Sequence, residues 1–318
     1  MKTAVAAESS APAKVILFGE HAAVHGQPAI AAPVSSVRAF ASVVPAPLGS
    51  GIELDVADLD MRLVIPPASE IPDHPLARAV CLLLDDIHMP VTDLRITLRS
   101  QIPIASGLGS GAALTAALMR ALAGAAGVSI TDAQLNDLVY EVEREFHGTP
   151  SGIDNTVVVY ERAIWFVRGL APALLAVSQP FDLVVADTGV RASTKDAVAG
   201  VRDLLAADPA GTWPVIEAIG ALAQQARRAI AHGDVQALGP LMNENHRLLQ
   251  MLTVSSAELD RLVVAARAAG AWGAKLSGGG RGGNLIALCQ PGMEAEITAA
   301  LLAAGALRTV KTRVEAHE

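Results

Sequence analysis

The stretch Pro103-Ile104-Ala105-Ser106-Gly107-Leu108-Gly109-Ser110-Gly111-Ala112-Ala113 limits what this chain can fold into more than any other segment. It joins an alternating strand pattern at Leu94–Leu98 to an alanine-rich helical run at Ala112–Ala123 through a loop almost bare of side chains. Glycine removes the Cβ that would hold a ligand away from the backbone, and the free N–H groups at a helix start lie at the positive end of its dipole. The natural occupant is a phosphate, and a nucleotide is the first expectation. The fold must therefore contain a strand, a bare loop and a helix arranged around an anion.

Three phosphate loops compete for this stretch. The P-loop needs Gly-Lys-[Ser/Thr], and the chain has no Gly-Lys dipeptide. The dinucleotide fingerprint is formally met by Gly107, Gly109 and Ala112, but it wants an acidic residue at a strand end about twenty residues on. Asp132 stands there instead, inside Thr131-Asp132-Ala133-Gln134, a capping box that starts a helix. A nicotinamide-dependent dehydrogenase is disfavoured on this ground. The third loop has the form Pro-x-x-x-Gly-Leu-Gly-Ser-Ser-Ala, and it fits with one departure, at Gly111.

At 318 residues the chain has room for two domains, and 52% hydrophobic against 18% charged residues is the composition of a well-cored protein. A net charge of −8 argues against a general nucleic-acid or membrane-surface role. Cys81 and Cys289 lack metal or disulfide spacing and suit a reducing cytoplasm. The first ten residues have neither a basic nor an apolar leader region and read as a frayed start.

Strand-like stretches dominate the first 175 residues: Val34–Val44, Ile52–Val56, Met61–Ile65, Leu94–Leu98, and a pair at Thr156–Tyr160 and Ala163–Arg168. Three helices interleave with them, opened by Asp73 and Pro75, by the glycine loop, and by Thr131. The third carries Leu135, Leu138, Val139, Val142 and Phe146 at helical spacing. After Pro172 the order becomes strand Leu183–Ala186, helices to about Ala269, strands Ala274–Ser277 and Asn284–Cys289, helix Met293–Ala303 and strand Arg308–Val314. That frame is a split β-α-β-β-α-β unit with inserted helices, ferredoxin-like in pattern. Its turn Gly278-Gly279-Gly280-Arg281-Gly282-Gly283 lies between two strands, and glycine there signals close backbone approach. The fold class is α+β, divided at 1–175 and 176–318.

Two further segments gather chemistry. Ala11–Gly26 sets Lys14, Glu20, His21 and His25 around a short apolar strand. Taken alone, Lys14 is equally well a solvated strand-end charge and His21 a surface imidazole. Glu143–Asn155 places Glu143 at the edge of an apolar helix face and Asp154 after a Pro/Gly loop and before a strand. In isolation these carboxylates read as a solvated helix face and a turn-forming Asx residue. Ser193-Thr194-Lys195-Asp196 reads as a helix start with Ser193 or Thr194 as the cap.

Taken together, the segments closely resemble the mevalonate kinase family, within the superfamily that also holds galactokinase, homoserine kinase and phosphomevalonate kinase. The resemblance rests on the glycine loop, on Lys14 to Gly26, and on Glu143-Arg144-Glu145-Phe146-His147-Gly148-Thr149-Pro150-Ser151-Gly152-Ile153-Asp154-Asn155, which follows the pattern Glu-Arg-x-x-His-Gly-x-Pro-Ser-Gly-x-Asp-Asn. Asp187–Lys195 and Ala274–Gly283 add to it. Matching motifs run from residue 11 to 290, leaving mainly 35–90 and the C-terminal tail without support.

The resemblance implies a ribosomal-protein-S5-like α/β domain at 1–175 that binds nucleotide and substrate, followed by a ferredoxin-like domain at 176–318. It implies ATP and Mg²⁺, and transfer of phosphate to the C5 hydroxyl of mevalonate. Pro103, Ser106, Gly107, Leu108, Gly109, Ser110, Gly111 and Ala112 would cradle the phosphates, and Glu143 with Ser110 would hold Mg²⁺. Asp154 would accept the hydroxyl proton and Lys14 hold that oxygen. Glu20, His21, Ser193, Thr194 and Lys195 would bind the acceptor. A small-molecule substrate is thus the expected partner, with no nucleic acid or membrane, in the cytoplasm and with a homodimer left open. The same loop also serves kinases of phosphomevalonate, homoserine or sugars and the related decarboxylases, which should lack the combined Lys14, Glu20-His21 and His147–Asp154 strings. In this family Gly111 is commonly a second serine that helps hold the metal. Arg281 stands where the family hairpin reads glycine, and it could face a phosphate or pair with an acidic residue.

Overall fold

The computed structural model describes residues 5–66, 72–90, 93–103, 107–147 and 150–317. The chain forms two compact units, neither continuous in sequence: Met1–Ala13 with Val37–Pro103 and Gly109–Glu161, and Lys14–Ser36 with Ile104–Leu108 and Arg162–Glu318. The long strands β1 (Ala7–Phe18) and β2 (Ala29–Pro45) contribute residues to both.

In the first unit β3 (Ile52–Val56), β4 (Met61–Ile65) and β5 (Leu94–Ser100) join the end of β2 in the order β4-β3-β5-β2, with only the β3–β5 pair parallel among these. The period-2 rule sets its faces. Ala39, Ala41 and Val43, Ile52, Leu54 and Val56, and Leu94, Ile96 and Leu98 are buried, while Glu53 on the other face is bridged by Arg62 and Arg95. Four helices complete the unit: α1 (Pro75–Asp86), α2 (Ser110–Ala125), α3 (Asp132–His147) and α4 (Ile153–Tyr160). The alanine-rich α2 packs against the other three and β5 and is buried on nearly every face. Thr131 starts α3 as the capping box requires: its Oγ1 accepts from Gln134 N at 3.2 Å, and Gln134 Oε1 accepts from Thr131 N at 3.2 Å.

Three expectations are corrected here. Thr156–Tyr160 belongs to helix α4, so Asp154 lies in a helix's first turn and precedes no strand. Val157, Val158 and Val159 are all buried; when every face of a short helix is covered, a β-branched run carries no 3.6-residue period to read. Residues 5–10 are not a frayed start, because β1 begins at Ala7 and Val5 N donates to Ala125 O at 3.1 Å, and residues 1–4 lie outside the described residues. Helix α1 is capped by His74, whose Nδ1 accepts from Leu76 N at 3.2 Å, and not by Asp73.

The second unit begins with the end of β1 and the start of β2, which pairs with β6 (Ile164–Phe166); β7 (Ala173–Leu174) pairs with β6. Its main sheet is antiparallel, β8 (Phe181–Asp187), β9 (Gly273–Ser277), β10 (Asn284–Leu288) and β11 (Arg308–Val314) in the order β11-β8-β10-β9. Helices α5 (Thr194–Ala207), α6 (Pro209–His232), α7 (Leu238–Met251) and α8 (Ala257–Ala268) intervene between β8 and β9, and α9 (Glu294–Ala303) between β10 and β11. This is the split β-α-β-β-α-β frame with inserted helices that the pattern predicts. Helix α7 covers the free edge of β9 with side chains: Asn243 Oδ1 accepts from Ala274 N at 3.1 Å and His246 Nδ1 from Leu276 N at 3.3 Å. Covering an edge in this way satisfies backbone groups that would otherwise seek another strand.

Candidate active site

In the second unit the chemistry collects where β1 and β9 end. Ser277 Oγ accepts from Ile16 N at 3.0 Å and donates to Ile16 O at 2.9 Å, fixing the two strand ends together. Lys14 lies on that part of β1 and is only 4% exposed, so it is no solvated strand-end charge; its main-chain N–H donates to Leu108 O at 2.9 Å. Beyond β1, Glu20 is buried and paired with Lys275 of β9, whose Nζ also donates to Leu276 O at 2.7 Å. Burial raises the Glu20 carboxyl above its usual range and lowers the Lys275 ammonium below its own; their mutual attraction opposes both shifts.

His21 is buried as well, and its Nε2 lies 2.9 Å from the carbonyl of Gly279. A carbonyl can only accept, so Nε2 carries the hydrogen. Burial pulls the imidazole down to about 4, with the nearby Arg281 charge adding to the effect and the Gly279 bond opposing it. At neutral pH His21 is therefore uncharged, and its Nδ1 is an acceptor. That atom and Glu20 Oε2 are buried with no partner among the described residues. Two adjacent residues thus hold two acceptors awaiting donors.

The glycine hairpin after β9 touches everything around it. Besides the His21 bond, a Cβ on Gly279 would sit 2.8 Å from Thr194 Oγ1 and 3.0 Å from Thr194 Cα, so only glycine lets α5 come this close. Gly283 N donates to Val190 O at 2.8 Å, and Gly283 O accepts from Thr188 Oγ1 at 2.9 Å. Ser193 caps α5, its Oγ accepting from Asp196 N at 3.1 Å. Thr194 and Lys195 are exposed on the first turn. Arg281 donates to the main-chain carbonyl of Asp196 at 3.4 Å.

The first unit holds the other expected residues. Gly109 is the left-handed N-cap of α2 with no side-chain cap, and Ser110, Gly111 and Ala112 form the helix's first turn. A Cβ on Gly111 would lie 3.5 Å from Glu143 Oε1, so the α3 carboxylate faces the start of α2. Asp154 is half-buried in the first turn of α4, beside Asn155, which donates to Asn136 Oδ1 at 2.8 Å. Pro103 ends the described chain before the loop, Gly107 and Leu108 resume it, and Ser106 lies outside the described residues.

The structure thus groups Lys14, Glu20, His21, Leu108 and Thr194 around the β9 hairpin, and Ser110, Gly111, Ala112 and Glu143 at the start of α2. Lys195 makes no hydrogen bond or ion pair among the described residues. Lys275 was not among the expected site residues, although it stands inside a matched segment. A lone lysine in a strand looks solvated, and the available signal was the apolar Ala274 and Leu276 on either side, which place it in a buried strand.

Family models for the GHMP kinases N terminal domain and the GHMP kinases C terminal match residues 75–162 and 226–306. A mevalonate kinase of Pyrococcus horikoshii is 36% identical over 323 residues, covering 96% of this chain and 95% of its own. The chain belongs to the mevalonate kinase family of GHMP kinases. A solved structure of L. major mevalonate kinase in complex with R-mevalonate superposes with a TM-score of 0.84 at 31% identity, covering 99% of this chain and 98% of that one. The Methanococcus jannaschii mevalonate kinase gives a TM-score of 0.85 at 26% identity, covering 98% of each. GHMP kinases are ATP-dependent, so ATP is the phosphate donor of this family member.

Lys275→Met leaves the Glu20 carboxylate buried without its cation and should cost about 3–5 kcal/mol of stability, while Glu20→Gln with Lys275→Met recovers most of that loss. Urea unfolding of the three proteins checks this, and equal losses in the single and double variants would contradict it. For His21, the folded imidazole titrates at about 4 and the unfolded one at 6.5. The unfolded chain binds the proton first, so this residue's contribution to stability falls as pH drops from 6.5 towards 4. His21→Gln should show a shallower fall over that window than the parent.

Proposed function

We propose that this chain transfers the γ-phosphoryl group of ATP to the C5 hydroxyl of mevalonate. The observation that carries this reading is the near full-length likeness to mevalonate kinases, one of them solved with R-mevalonate. The buried chemistry supports it. The neutral Nδ1 of His21 and the second oxygen of Glu20 are acceptors, which suit the hydroxyl groups of the acceptor molecule. Its carboxylate calls for a cation, and Lys195 on the exposed turn of α5 is assigned to it.

Phosphoryl transfer needs positioning and charge stabilisation more than covalent chemistry. Backbone amides from Gly107 to Ala112 would bind the phosphates at the start of α2, with Pro103 and Ser106 assigned to the same nucleotide site. Asp154 would take the hydroxyl proton as the C5 oxygen attacks the γ-phosphorus and the bond to the β-phosphate breaks, releasing ADP. Lys14 would stabilise the negative charge developing on the attacking oxygen. Ser193 and Thr194 would line the acceptor.

Among the described residues no cluster of three or more His, Cys, Asp or Glu could cage a metal. Mg²⁺ does not ask for one, since it is usually held by one or two carboxylates together with substrate phosphates and water. The Glu143 carboxylate facing Gly111 in the first turn of α2 fits that requirement, and Ser110 in the same turn would offer a hydroxyl oxygen. When bound, Mg²⁺ would neutralise charge on the phosphate oxygens. The buried thiols of Cys81 and Cys289 accord with a cytoplasmic setting.

A coupled ADP-release assay against mevalonate, phosphomevalonate, homoserine and galactose tests the reading; turnover confined to one of the other three would sink it. Asp154→Asn keeps the shape and one acceptor oxygen but cannot take a proton, so the rate should fall about 10²–10⁴-fold with ATP affinity near normal. Near-normal turnover would return Asp154 to a loop-shaping role. Glu143→Gln should sharply raise the Mg²⁺ concentration needed for half-maximal rate. Gly111→Ser should keep activity or lower that concentration, because a Cβ there meets Glu143 at an ordinary 3.5 Å.

A further inference from the structure

Two positions in the second unit break local rules, and they break them against each other. Arg281 holds φ at 57°, a left-handed conformation uncommon for any residue but glycine, inside a hairpin where its neighbours are glycines. Gly200 sits in the interior of α5, where alanine would favour the helix. A Cβ on Gly200 would run into the Arg281 guanidinium, lying 3.1 Å from Cζ and 3.3 Å from Nη1 and closer still to Nη2. The flat guanidinium therefore lies directly on the α5 backbone, and one of its nitrogens donates to the Asp196 carbonyl at 3.4 Å. The main chain is held as firmly, since Arg281 N donates to Val254 O at 2.7 Å.

We propose that Arg281 is a positioning residue that latches the first turns of α5 onto the glycine hairpin, fixing Ser193, Thr194 and Lys195 for the acceptor substrate. Gly200 is the matching vacancy in the helix that admits it. Gly200 gives the guanidinium its room, while the left-handed backbone at Arg281 is held by its N–H bond to Val254 O at 2.7 Å. It also ties α5 to the residue that orients His21, because Gly279 accepts from His21 Nε2 and packs against Thr194. The latch acts through Ser193–Lys195 and touches no reacting atom. The proposal rests on the assignment of that turn to acceptor binding.

The experiment uses the full chain in two arms. In thermal unfolding, Gly200→Ala alone should lower the melting temperature, because its methyl displaces the guanidinium. In an Arg281→Ala background the same substitution should raise it, because only helix propensity is left to act. A rise in both backgrounds would overturn the latch. In kinetics, Arg281→Ala should raise the KM for mevalonate about 3- to 10-fold, the range of one net hydrogen bond, with kcat and the KM for ATP unchanged. Arg281→Lys, which keeps the charge but loses the flat fork, should behave like the alanine variant. An unchanged KM for mevalonate, or a rise confined to ATP, would overturn the positioning role. If the parent protein turned over no mevalonate, the functional reading would fail instead, and the melting cycle would still decide whether the latch exists.

Discussion

The second unit depends on a charge pair taken out of water. Glu20 and Lys275 are 255 positions apart in sequence and both side chains are fully buried. A buried pair is not a source of stability by default, since desolvating two ions can exceed what their attraction returns. What it does is penalise any arrangement in which one partner lacks the other. With the Ser277–Ile16 bonds on one side and the His21–Gly279 bond on the other, it fixes the end of β1 to the end of β9. Once that is set, the unpaired oxygen of Glu20 and the unpaired nitrogen of His21 have a defined place.

The same logic explains why glycines crowd the turn after β9. Three of them remove a Cβ that would collide with a neighbour: Thr194 at Gly279, Val254 at Gly280, Val190 at Gly282. The turn works as a hub because it is thin. Side chains are absent where backbone must meet backbone, and the exception, Arg281, points along α5 where Gly200 clears its path. Rigidity comes from main-chain bonds, which tolerate little displacement.

Much of this was legible in the sequence. The second-half frame could be read because its strands carry clear apolar cores bounded by glycine and proline, and its strand bounds differ from expectation by at most two residues at either end. The glycine loop and the Thr131 box each combine spacing with a physical requirement; α3 starts directly after Thr131, while α2 starts at Ser110, two residues before the expected Ala112. The reading failed where burial erased the pattern. Thr156–Tyr160 is β-branched and helical because it lies against α2 and α3, which a local window does not see. Lys275 was passed over because its partner stands 255 positions away. The bland alternatives for Lys14 and His21 could not be rejected by spacing, and it was their burial that removed them. The sequence offers Arg281 a phosphate or an acid; its partner is the main-chain carbonyl of Asp196, which no sequence pattern announces.

The discontinuity of the second unit bears on how the protein is made. Lys14–Ser36 is synthesised roughly 240 residues ahead of Lys275 and the hairpin that receive it. At about 5–20 residues per second this segment waits some tens of seconds for its partners. Over that interval Glu20 and His21 have no folded environment and stay hydrated. Completion of the second unit is therefore tied to the synthesis of β9 and the hairpin after it, and a nascent chain cut before β9 should lack the Glu20–Lys275 lock, however well the helices of its first unit have formed.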